Sequence, residues 1–138
     1  MAGSKSDSFE GVLLDHIFGI SAWTPEANFF LAAFTVAPTD SSAGTEVSTA
    51  IWTNYARVSL TRNGTIWTRS GSGVSNASAI SLGTAAITGT APVVVAFALM
   101  SASTAGSIRY WGDLLASKTI NNGDPVQFNA GELDVTED

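Results

Sequence analysis

The 138-residue sequence has no cysteine and a single histidine, His16. The first absence excludes disulfides, thiolate nucleophiles and cysteine-ligated zinc. The second excludes a histidine cluster around a metal. It also leaves any Ser-His-Asp arrangement dependent on one residue whose neighbour Asp15 cannot assist it, because adjacent side chains on a helix diverge. Charge is scarce as well: 13% of the residues are Asp, Glu, Lys or Arg, against about 25% in ordinary soluble domains. Six basic residues against twelve acidic leave a net charge of −6, so the basic footprint that nucleic-acid binding requires is missing. The longest apolar block, Ala91 to Met100, has ten residues, about half the roughly 20 of a membrane-spanning helix, and no membrane partner is expected. Asp15 and His16 interrupt the only apolar run near the N-terminus, which predicts a soluble protein made in the cytoplasm rather than a secreted one.

Catalytic motifs are equally sparse. No serine stands in a Gly-x-Ser-x-Gly elbow. The stretch "GSGVSN" starts like a phosphate loop, but Asn76 replaces the third glycine and no Lys-Ser/Thr follows. The carboxylates Asp15, Glu26, Asp40, Glu46, Asp113 and Asp124 fall mostly in expected turns or element ends, where a solvated role outweighs a glycosidase pair. Trp23, Trp52, Trp67 and Trp111 could stack on sugars, though core or interface packing is the plainer use of so much apolar area. No catalytic residue, no metal ligand and no cofactor is assigned.

What the chain has in quantity is small and uncharged: Ala, Ser and Thr fill 52 positions. Such a surface costs little to desolvate and suits repeated contact with copies of itself or with a neighbour. One helix is predicted over about 8–18, with Asp7 as N-cap, Glu10 at capping-box spacing and Gly19 as the stop. From Asn28 onward short β-type runs follow between turn-formers: "NFFLAAFTV", "NYARVSLT", "TIWTR", "AISLG", "PVVVAFALMS", "SIRYWGDLL", "KTI", "PVQF" and "ELDVT". Eight or nine such strands without a second long helix predict one domain, 1–138, folded as an antiparallel β-sandwich or jelly roll. The loops 37–46 and 70–78 read as the least ordered segments. Asn122-Gly123 reads as a type I′ turn joining Lys118–Asn121 to Val126–Phe128 in a hairpin. "PVVVAFAL" is apolar on both faces and belongs in a central strand. The candidate interface residues are Phe9, Val12, Leu13 and Ile17 on the helix, then Trp23, Val94, Val95, Phe97 and Trp111.

Taken in order, "LLDHIFG", "SAWTPEANFFLAAFTVAPTDSSAGTEVS", "YARVSL" and "IRYWGDLLASKTINNGDPVQFNAGELDV" resemble a family of small tailed-bacteriophage virion proteins. Members carry a strand of the "LYVALFTxxPT" kind, a "GTEVS" turn and a closing "tINxGDtlxFxaGxLxI" hairpin, and are commonly labelled tail fibre or minor structural proteins. Pro38-Thr39, Gly44-Thr45-Glu46-Val47, Tyr55-Ala56-Arg57, Asn121, Gly123-Asp124, Phe128 and Gly131 carry the resemblance, which is weakest over 63–90. It implies a non-enzymatic virion component made in the host cytoplasm. Two roles follow as expectations. One is a capsid cement or decoration protein on the capsid exterior, a homotrimer clamping adjacent major capsid protein subunits. The other is a tail fibre or adaptor that meets a host receptor or glycan.

Overall fold

The computed structural model describes residues 3–137. Strand β1 (Gly3–Lys5) leads into helix α1 (Asp7–Ile17), and ten strands follow: β2 (Asn28–Val36), β3 (Thr45–Glu46), β4 (Val58–Thr61), β5 (Trp67–Ser70), β6 (Gly73–Asn76), β7 (Ile80–Thr84), β8 (Val93–Met100), β9 (Ile108–Thr119), β10 (Pro125–Phe128) and β11 (Asp134–Thr136). Every strand pairing is antiparallel. The main sheet runs β1-β9-β8-β2, with β3 and β4 sharing the far edge of β2. Two small sheets, β10-β7 and β11-β6-β5, form the second layer. The result is the mainly β, antiparallel sandwich expected, compatible with a jelly roll.

The core sits between the layers. Leu31, Phe97 and Leu99 of the main sheet meet Ile80 and Val135 of the small sheets and Leu133 just before β11, and Ala33 and Val94 meet Trp52, Tyr55, Ala85 and Ile120. The opposite face of the main sheet is apolar too: Ala32, Ala96 and Ala98 are wholly enclosed among Phe34, Met100 and Ile108. Strand β8 therefore needs apolar residues on both faces, which is how its sequence reads.

Four expectations need correction. The Lys118–Asn121 to Val126–Phe128 hairpin does not form, because β10 pairs with β7 instead. Asn122 keeps a negative φ and only Gly123 (φ 88°) is left-handed, so the turn lacks the two positive-φ residues of a type I′ reversal. Asp124 O accepts from Ala85 N and Ala85 O from Gly123 N, which carries the chain across to the second layer. Segment 70–78 is not loose: it contains a hairpin whose turn, Gly71-Ser72, has positive φ at Gly71 only, the type II′ pattern. In "NYARVSLT" only Val58–Thr61 is strand. The helix N-cap is Ser6, not Asp7: its Oγ accepts from Phe9 N at 3.3 Å and donates to Ile108 O at 2.7 Å. A hydroxyl can be buried against that carbonyl where a carboxylate would carry an unpaired charge inside.

Candidate interface and binding site

Helix α1 is tied to the sandwich at its start, through Ser6 Oγ donating to Ile108 O, Asp7 N donating to Asp40 O and Phe9 packed against Tyr110. Asp7 and Glu10 in its first turn match the helix dipole. Its end is a Schellman motif, with Ile20 N donating to Asp15 O, Gly19 N donating to His16 O, and Gly19 at φ 71°. His16 then has a structural task, since its Nδ1 accepts the Trp23 N–H at 3.1 Å and fixes the chain's return. Phe9 is buried, edge-on to Trp23 and Tyr110 at 5.2 and 5.4 Å, with the Arg109 guanidinium over its ring. Val12 and Leu13 are half-buried. The last turn leaves the body: Ile17, Phe18 and Ile20 are 72%, 75% and 75% exposed, and Leu14 more than half. Of the other interface candidates, Val94 and Phe97 lie in the interior, while Trp23, Val95 and Trp111 are half-buried.

Beneath the helix, between the main sheet and β5-β6-β11, is a cavity of about 430 Å³. Trp23, Phe29, Trp67 and Tyr110 line it together with Phe9, Arg62, Arg69 and Glu137. Arg62 lies 5.8 Å from the Phe29 ring centre and donates to Glu26 O at 2.8 Å. Burial, and then the neighbouring Glu137 carboxylate, push the Tyr110 hydroxyl up to about 12, so at neutral pH it is a donor, reaching Glu137 Oε1 at 3.3 Å. Glu137 also pairs with Lys5. Sequence reasoning named Trp23 and Trp67 but not Arg62, Arg69 or Tyr110. The available signal was "RNGTIWTR", which places two of six cations around one tryptophan.

The residues that carry the family resemblance prove structural. Tyr55 Oη accepts from Ala33 N and donates to Glu46 Oε1, and Arg57 holds both Glu46 oxygens while donating to Ala102 O and Ala105 O. The Glu46 hydrogen bond raises the Arg57 pKa above its ordinary value against the effect of burial. Gly44 (φ 63°) passes so close to the β2 exit that a Cβ there would lie 2.5 Å from Val36 O. Among the described residues no three His, Asp or Glu side chains gather as a metal site, and no helix is long and apolar enough to cross a membrane.

A family model described as podophage GP4 fiber I protein gp80 matches residues 4–136. No curated protein matches the chain.

Proposed function

Because the chain belongs to the podophage GP4 fiber I protein gp80 family, a non-enzymatic phage virion structural family, we propose that it is a fibre subunit of the tail. It builds its part of the particle by associating with copies of itself. The observation that carries self-association is the exposed end of α1, where Leu14, Ile17, Phe18 and Ile20 stand together in water. Monomeric proteins rarely expose so contiguous an apolar group, and closed rotational assembly is the usual way to cover it. The homotrimer is the first assembly to test. The low charge of the chain supports the same reading, since few ions need to be desolvated when copies meet.

The capsid-cement role is the second reading, favoured by the single compact sandwich without a heptad or other shaft-forming repeat. Particles lacking the protein separate the two. A fibre subunit predicts lost adsorption to host cells with heat resistance unchanged; lost heat or osmotic resistance with normal adsorption puts cement in its place. In solution, Ile17→Asp with Phe18→Asp is expected to give a folded monomer, read by light scattering and circular dichroism. An unchanged oligomer sinks the helix-end interface.

A further inference from the structure

Five aromatic rings, Phe9 among them, and two guanidiniums line the cavity under α1, and their chemistry specifies a ligand. The rings of Trp23, Trp67, Phe29 and Tyr110 line it, and aromatic rings are the surface on which the C–H face of a pyranose stacks. The cleft is open to solvent, and its volume of about 430 Å³ falls within the roughly 300–1,000 Å³ of small-ligand sites. Stacking alone fits any flat ligand; the charges narrow it. Lys5, Arg57 and Arg109 are each paired with a glutamate. Arg62 and Arg69 have no carboxylate partner among the described residues and bond only to the backbone carbonyls of Glu26 and Gly71. A chain of net charge −6 thus keeps two guanidiniums outside any ion pair among the described residues at one aromatic cavity, whose one lining carboxylate, Glu137, is engaged by Lys5 and Tyr110. Guanidinium binds carboxylate through paired, parallel hydrogen bonds. The phenol of Tyr110 and the exposed amide of Asn63, whose Oδ1 is already taken by the N–H groups of Thr65 and Ile66, add neutral polar groups suited to sugar hydroxyls.

We infer that this cavity binds a saccharide carrying a carboxylate, with the indoles stacking on the ring and Arg62 and Arg69 holding the acid. The inference rests on the fibre reading only for where the sugar comes from, a host cell surface; the binding is a property of the chain alone. Nucleic acid is excluded as occupant by the overall charge.

The test titrates the full chain, by calorimetry and tryptophan fluorescence, with three carboxylated probes: tri-galacturonate, a hyaluronan tetrasaccharide and sialyllactose. Methyl-esterified tri-galacturonate and inorganic phosphate serve as controls. At least one acid sugar is expected to bind, and its methyl ester about tenfold more weakly or worse. Arg62→Gln with Arg69→Gln should weaken binding by about tenfold or more at an unchanged thermal midpoint, while Leu115→Ala, on an exposed strand segment away from the cavity, leaves it unaltered. Trp67→Phe keeps a ring in the core and should weaken binding less than loss of the arginines does. No binding by any acid sugar, equal binding of acid and ester, or phosphate binding as tightly as the best sugar overturns the proposal. Because these measurements use the isolated chain, they can fail while the tail location stands.

Discussion

Burial alone would push the Glu46 carboxyl up, yet the hydrogen bonds from Arg57 and Tyr55 outweigh it and hold the group below its ordinary 4.5. A carboxylate depressed in the folded state lends stability that is fully present above its unfolded value and is lost as pH falls through the folded one. The thermal midpoint of Glu46→Gln should therefore lie well below the parent's at pH 7, with the gap closing as pH falls below 4.5. A gap that persists at strongly acidic pH would show that the site does not depend on the ion. Asn76 presents the neutral counterpart. Fully buried, it donates to Ser78 O and Asn129 O and accepts from Leu133 N, so Asn76→Ala strands a buried N–H and two carbonyls. A loss of about 1–3 kcal/mol in denaturant unfolding is expected; a neutral result would mean the loops can turn to water. The sequence displayed Tyr55-x-Arg57 and Gly44-Thr45-Glu46 as separate motifs. Their joint role was hidden because Glu46 stands 9 and 11 residues from the side chains it binds, and only the fold closes that distance. Asn76 was read merely as the residue that spoils a phosphate loop.

Two turns near the C-terminus repeat one construction. In Asn121–Asp124 and again in Asn129–Glu132, a glycine with positive φ sits third, and the fourth residue's carboxylate accepts from the first residue's backbone N–H. The fourth residue's own N–H returns to the first residue's carbonyl. Each acid thus satisfies a backbone donor that the reversal leaves over. The first was legible as a reversal from Asn122-Gly123; the acid's role and the strand beyond were not, because a reversal dictates a change of direction and not which strand lies beyond it. Strands β2 and β10 were read to the residue, since apolar content and a flanking proline set their limits locally. The Gly71-Ser72 hairpin was lost because a glycine- and serine-rich run looks the same whether it bends freely or makes a two-residue reversal. At the helix, Ser6 and Asp7 compete as caps on local chemistry, and the carbonyl of Ile108, which lies 102 residues away, decides between them. Ser6→Ala should cost about 0.5–2 kcal/mol, while Asp7→Ala should cost clearly less. Equal losses would return the cap to Asp7.

For the molecule as a whole, the succession of short strands between turn-formers sufficed to indicate a β-sandwich, and the interface candidates fell on two elements, α1 and β8. "PVVVAFAL" was read as a central strand. Strand β8 lies between β2 and β9, and from Ala96 to Met100 it is covered by the chain itself. The uncovered surface is the last turn of a helix too short to hold alone in water, and periodicity could not tell which part of that helix the body would cover. An assembly held by Leu14, Ile17, Phe18 and Ile20 rests on apolar burial, and none of these residues is charged. Its response to conditions follows from that. Apolar association is insensitive to ionic screening and weakens on cooling, because its driving force near room temperature is entropic. Sedimentation across about 0.05–0.5 M sodium chloride, where the Debye length shrinks from above 10 Å to below 5 Å, should leave the oligomer fraction unchanged or slightly raised. Cooling a dilute sample to near freezing should shift it toward monomer. An oligomer that falls apart with added salt and survives the cold would instead be joined through its few charged groups, and the exposed end of α1 would then face something other than a second copy.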